Sequence, residues 1–334
     1  MADASEPANG RGNNGAQGTA ADDIVMPFQT LRSNISGRIV RLGPGLNAIL
    51  DRHSYPDSVS HVLGEALALV SLLGSAMKFD GRLILQTKSD GPLDLLVVNY
   101  DMPGNLRGYA SFDAARVSAS AGSDGDQASG LLGAGHLAMT IDPGGDMDRY
   151  QGIVAIENEP LASAALTYFR QSEQLPTFLR LAVARVYHPA TADSDGKDRW
   201  TWRAGGLLLQ HIAHAGGTRT EELEGEPLPL GGEDDDEWRR TEMLAATVED
   251  HELTDPGLSP ENLLYRLFHE EGVRVQTAHA LSDSCRCSRE RVTGFLSQFA
   301  AAGLEDLREE DGTITVTCEF CNQRYRYEAD ELGD

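Results

Sequence analysis

The chain has 334 residues, 40% of them hydrophobic, which gives room for about two domains and a real core. Its net charge is −24, with 52 acids against 28 bases, and that balance argues against a nucleic-acid binder, whose affinity comes mainly from neutralising phosphates. No apolar run approaches the length of a membrane span and no charged-then-apolar leader opens the chain, so a cytoplasmic location is expected.

Residues 1–23 are Gly, Ala, Asn and Asp with almost nothing to bury, and they read as a disordered tail. Ser36–Leu42 alternates as a strand and stops at Gly43-Pro44-Gly45; Leu46–Arg52 suits a short helix. From Val59 to Phe79, apolar residues recur at helical spacing with little polar face, which predicts a central buried helix ended by Gly81. Strands are expected at Arg82–Thr87, Leu93–Tyr100 and Leu106–Phe112. Residues 113–130 are small and polar and read as a loop or mobile insert. Strands follow at Gly133–Ile141 and Tyr150–Ile156, a helix at Leu161–Ser172, and a strand at Phe178–Tyr187. Trp200–Gly205 begins another strand, and Gly206–His214 reads as the last strand or a short helix of the first domain. This pattern predicts an α+β domain over 24–217, with a largely antiparallel sheet around one buried helix.

The character changes near residue 218. Residues 221–334 carry 29 acids and 10 bases, a net of −19, whereas residues 1–220 carry 23 and 18, a net of −5. Residues 218–283 read as an acidic helical linker. Trp238–Leu253 is amphipathic, and Ser259-Pro260 starts a helix whose stripe is Leu263, Leu264, Leu267 and Phe268. Val273 and Val275 then alternate as a short strand. Like charges and modest stripes describe either an ordinary connector or a metastable element that needs a partner surface.

The last region, 284–334, holds all four cysteines as Cys285-Arg-Cys287 and Cys318-Glu-Phe-Cys321. Two paired thiol knuckles supply the tetrahedral sulfur set that zinc prefers. A structural zinc clip, a disulfide framework and a redox switch all fit the motif; scarce cysteines and the lack of a leader disfavour the framework. Ser288 caps a helix expected to reach Ala302, with Val292, Phe295, Leu296 and Phe299 as its stripe. Thr313–Thr317 and Arg324–Tyr327 form a hairpin. About fifty residues with so small a core need a staple.

The cysteine spacing, together with Tyr168-Phe-Arg-Gln-Ser-Glu-Gln-Leu-Pro176, Ala204-Gly-Gly-Leu-Leu-Leu-Gln210, Leu264-Tyr-Arg-Leu-Phe-His-Glu-Glu271 and Cys287-Ser-Arg-Glu-Arg-Val292, resembles the heat shock protein 33 family of redox-regulated holdase chaperones. The resemblance runs from about Phe28 to Asp330; the longer N-terminal tail and the 113–130 and 190–198 loops depart from the family pattern. It implies an ATP-independent chaperone of the stress response, not an enzyme, with no catalytic residue. Reduced, such a protein is an inactive monomer holding one zinc through Cys285, Cys287, Cys318 and Cys321. Oxidised, it forms the disulfides Cys285–Cys287 and Cys318–Cys321, loses zinc, unfolds its C-terminal region, dimerises and binds unfolding client proteins. Clients later pass to ATP-dependent foldases. No nucleic acid and no membrane is implied as a partner, and the client-binding residues stay unknown.

The alternatives are an enzyme or a nucleic-acid-binding module with a purely structural four-cysteine zinc site. Four sulfurs fill the coordination sphere that a catalytic zinc keeps open. The nine histidines are scattered, and the pair His211 and His214 lies in apolar surroundings. Ser172-Glu-Gln174 reads as a helix end and turn, and Gly205-Gly206 lacks the flanks of a phosphate-binding loop.

Overall fold

The computed structural model describes residues 22–78, 80–120, 130–145, 147–189, 198–211, 233–298, 307–328 and 331. In chain order, β1 (Ile24–Thr30) and β2 (Ser36–Leu42) lead to α1 (Pro44–Leu50) and α2 (Asp57–Gly74). A meander of β3 (Arg82–Ser89), β4 (Leu93–Asp101) and β5 (Asn105–Phe112) precedes α3 (Ala114–Ser120), β6 (Ala134–Asp142) and β7 (Tyr150–Glu157). Then come α4 (Leu161–Tyr168), a π turn at Phe169–Glu173, β8 (Thr177–His188) and β9 (Arg199–Gln210). The acidic region holds α5 (Glu233–Ala245), α6 (Asp250–Thr254), α7 (Pro260–Phe268), β10 (Val273–Val275) and β11 (His279–Ala280). Last are α8 (Arg289–Leu296), β12 (Ile314–Thr317) and β13 (Arg324–Tyr327).

The strands form two larger antiparallel sheets. One has the order β5-β4-β3-β6-β7; the other runs β10-β1-β2-β9-β8, with β11 also paired to β1. Helix α2 lies between them and packs on strands of both. That placement explains its composition, since a helix covered on two sides has no use for a polar face. By length and hydropathy α2 is apolar enough to cross a membrane, so the sequence does contain one such run. Here 72% of it is buried inside the protein, as the core helix of the sandwich.

Further sequence expectations change. Helix α2 stops at Gly74, before Gly81; a side chain at Gly74 would meet the Tyr100 ring, and its absence lets the helix end fit flush against β4. Residues 114–120 of the supposed loop are helical: the Asp113 carboxylate accepts from the Ala115 and Arg116 N–H groups, and Val117 is buried. Residues 206–210 belong to one twelve-residue strand, β9, and His214 lies outside the described residues. Gly205 and Gly206 serve packing: a Cβ at Gly205 would lie 2.3 Å from the Leu253 carbonyl oxygen, and Gly206 faces Leu72 of α2. Ser172 and Glu173 lie in the π turn, and Gln174 takes a left-handed backbone, in line with the helix-end reading.

Residues 233–283 lie against the second sheet. Trp238, Ala245, Val248, Leu253, Leu263, Leu264, Leu267 and Phe268 are buried against Met26, Phe28, Ile39, Leu207 and Leu209. Ser259 accepts from the Asn262 N–H with Pro260 next in line, the cap expected from the sequence. Two arginines hold α6 from beneath. Arg41 donates to the carbonyls of Glu252 and Asp255, and Arg203 to that of Thr254. Arg203 also pairs with Asp22, and Asp23 accepts from the N–H groups of Gly43 and Gly45. The tail expected to reach residue 23 is therefore anchored from Asp22; residues 1–21 lie outside the described part. Burial, then the neighbouring Arg203 charge, pulls the Arg41 guanidinium down to about 10, while Asp22, Asp255 and Glu261 oppose that shift.

Candidate metal centre

The chain leaves the sheet through a short strap. The Leu281 N–H donates to Asp23 O, the Ser282 N–H to Gly104 O, and the Leu106 N–H to Ser282 O. Arg52 closes on Asp283 at 2.5 Å. Cys285 and Cys287 follow at once, so the first knuckle is set by a segment fixed on the sandwich. The second sits on the β12–β13 hairpin. There the Asn322 N–H donates to Cys318 O, the Cys318 N–H donates to Gln323 O, and Asn322 takes the left-handed conformation that closes the knuckle.

The four sulfurs meet within 4.8 Å of one another. Cys285 Sγ is 3.7 Å from Cys318 Sγ, and Cys287 Sγ is 3.1 Å from Cys321 Sγ. All four are free thiols and half-buried. A tetrahedral zinc–sulfur site, with bonds of about 2.3 Å, spaces its sulfurs roughly 3.8 Å apart. The donor set fits that ion in number and chemistry; the Cys285–Cys318 pair has that spacing, and the Cys287–Cys321 pair is closer. The structure thus brings together every sequence-predicted ligand, and among the described residues no other group of three or more His, Cys, Asp or Glu gathers in this way.

Burial pushes the Cys285 thiol up, but the Cys287 N–H and the neighbouring thiols outweigh it and bring it down to about 7. Burial raises Cys318 and Cys321. Tyr325, not foreseen from the sequence, donates to Cys287 Sγ at 3.2 Å, and that bond raises its own phenol.

The unit around the thiols is thin. Only Leu296, Ile314 and Tyr327 form its described core, with Val292, Val316 and Tyr325 packed alongside. Phe295, expected in the stripe, is 55% exposed. Helix α8 is only eight residues long and lies on a two-stranded hairpin, which covers the Val292–Leu296 line and not the neighbouring face. Phe299, Ala302 and Gly303 lie outside the described residues. The expected cap holds, with Ser288 accepting from the Arg291 N–H.

The second knuckle also touches the sandwich. The Arg107 guanidinium stacks 4.1 Å over the Phe320 ring, and the Asn322 amide donates to Arg52 O. Arg286 lies 3.4 Å from the buried Asp101, which also pairs with Arg82. Burial and the Glu319 carboxylate push the Tyr109 phenol up to about 12. These partners come from distant parts of the chain and carry no motif; the RYRY alternation at 324–327 was the only local sign that Tyr325 faces the thiols.

Comparison with known proteins agrees with this geometry. The family described as Hsp33 protein matches residues 23–328. A 33 kDa chaperonin of Caulobacter vibrioides is 44% identical over 306 residues, covering 91% of this chain and 94% of its own. One from Azotobacter vinelandii is 38% identical over 312 residues, covering 93% of each. The crystal structure of the 33 kDa chaperonin from Thermotoga maritima shares the fold at a TM-score of 0.70 and 22% identity, covering 93% of this chain and 96% of that one. The chain belongs to the Hsp33 family.

Proposed function

We propose that this protein is a redox-regulated, ATP-independent holdase that is inactive when reduced and binds unfolding proteins once its thiols are oxidised. The observation that carries the reading is the meeting of all four cysteines within 4.8 Å, in a unit whose described core is three buried side chains. Such a core is too small to hold a fold alone. Zinc held by Cys285, Cys287, Cys318 and Cys321 would crosslink strap and hairpin and supply about 10–16 kcal/mol of folding energy.

Oxidation removes that ligand set. Two thiols and one hypochlorous acid give a disulfide, chloride, water and a proton, so two oxidant molecules consume all four sulfurs. Closure within each knuckle, as Cys285–Cys287 and Cys318–Cys321, leaves no thiolate and no link between strap and hairpin. The small unit then unfolds and frees residues 233–283 to lift from the sheet, exposing the apolar face around Phe28, Ile39 and Leu207. The acidic excess keeps the opened form soluble, and two such forms can dimerise. Release of clients to ATP-dependent foldases on reduction, and a cytoplasmic site of action, complete the proposal.

The test is light scattering from a heat-unfolding client. Hypochlorite-treated protein should suppress aggregation, reduced protein should not, and reductant with zinc should restore the inactive form. Equal protection by both forms would leave a chaperone without a switch. Metal analysis of the reduced form should find one zinc per chain.

A further inference from the structure

A cavity of about 460 Å3 lies where the β10–β11 segment meets the sandwich. Its origin is a mismatch in pairing. Phe28 pairs with Val275 and Val25 with His279, so Met26 and Pro27 of β1 face the three residues Gln276–Ala278. Pro27 has no N–H to complete the ladder and is joined only through its carbonyl, which accepts from the Gln276 N–H at 2.9 Å. The chain lifts off the sheet there and leaves a hollow.

The hollow has an unusual lining. Its charged or titratable members besides the Tyr100 phenol are Arg38, Lys78 and His279, with no carboxylate, in a chain with 52 acids and 28 bases. Arg38 Nε is buried and donates to nothing. Burial lowers the pKa of that guanidinium, and the one charge effect opposing it comes from the Tyr100 phenol. Met77 and Met102 make the remaining wall apolar. A half-buried guanidinium with an unpartnered Nε and no carboxylate beside it is suited to an anion, and a cavity of this size suits a small molecule.

We infer that this cavity binds an organic monoanion with an apolar tail, its carboxylate held by Arg38 and its tail against Met77 and Met102. Arg38 belongs to β2, whereas Gln276 and His279 belong to the segment docked on the sheet. The bound molecule therefore bridges the two, and by linkage it favours the docked arrangement. This regulatory consequence rests on the holdase reading; the binding does not.

The test titrates the reduced full-length protein calorimetrically with sodium octanoate, and with octanol as the uncharged counterpart. Octanoate should bind saturably at one per chain, and octanol about tenfold more weakly or worse, the usual worth of a charged hydrogen bond. Arg38→Gln should weaken octanoate by a similar factor and leave octanol unchanged, while Arg38→Lys should keep part of the preference. No saturable octanoate binding, octanol binding as tight, or an unaffected R38Q protein would each overturn the site. Octanoate should also delay the onset of aggregation suppression after hypochlorite. Binding with an unchanged onset would overturn the regulatory half alone, and a chain with no holdase activity would sink the parent reading while leaving the binding result intact.

Discussion

Two regions lie against the same sandwich and are held in different ways. Residues 233–283 present a broad apolar face: Leu263, Leu264, Leu267 and Phe268 of α7 are essentially inaccessible, and Phe268 stacks on Phe28 at 5.7 Å. Residues 285–328 bury only Leu296, Ile314 and Tyr327 among themselves and reach the sandwich through Arg107, Asn322 and Arg286. The first region is held by area removed from water; the second has little such area and gathers four thiols and a few polar contacts instead. The contrast teaches where chemistry can act. An oxidant cannot address an apolar face, but it can address four thiols, and the strap at 281–283 connects those thiols to the strand pairing at β11.

The largest expected effect comes from the thiols. Cys287→Ser leaves three thiolates and a hydroxyl, and should abolish tight zinc binding and unfold 285–328 while 24–210 stays folded; metal analysis and hydrogen exchange by segment check this. Disulfide mapping sharpens the same point. Two cross pairs already lie in contact in the folded cluster, Cys285–Cys318 at 3.7 Å and Cys287–Cys321 at 3.1 Å. Cross-paired disulfides would keep strap and hairpin tied and trap the unit folded, whereas pairing within each knuckle releases it. Peptide mapping of the active form should find Cys285–Cys287 and Cys318–Cys321.

Phe268→Ala attacks the apolar region instead. A buried aromatic truncated to Ala costs about 3–5 kcal/mol, here concentrated where α7 meets β1. The variant should protect a client without oxidation and keep its zinc, the reverse of the cysteine variant. Ser288→Ala removes the α8 cap at a cost of about 1 kcal/mol, and should lower the midpoint for zinc loss in a chelator titration without changing the melting of the sandwich. Arg107→Ala removes the stack on Phe320, worth about 0.5–1 kcal/mol at an exposed site. Its expected signature is a rise of a few-fold at most in the rate of thiol oxidation.

Much of this was legible in the sequence because its causes are local. The knuckles, the Ser259 and Ser288 caps, the largely apolar α2 and the alternating strands each carry their signal within a few residues. What escaped was non-local. Nothing near Val273 shows that it pairs with Thr30, more than 240 positions earlier. Arg41 and Arg203 sit in strand patterns, yet their role is to take carbonyls from α6. Phe295 looked like core because helical spacing gives the stripe but not the width of the surface that covers it. At the end of α2, Gly74 lies against the Tyr100 ring of another strand, a contact that no helix-stop signal records.

Segment-resolved hydrogen exchange before and after hypochlorite tests the central claim most directly. The account predicts that protection is lost over 285–328 and, with it, over 233–283, while 24–210 keeps its protection, and that reductant with zinc restores both regions. Loss confined to 285–328, with α5–α7 still protected while the client is held, would contradict the claim that thiol chemistry acts by releasing the apolar face.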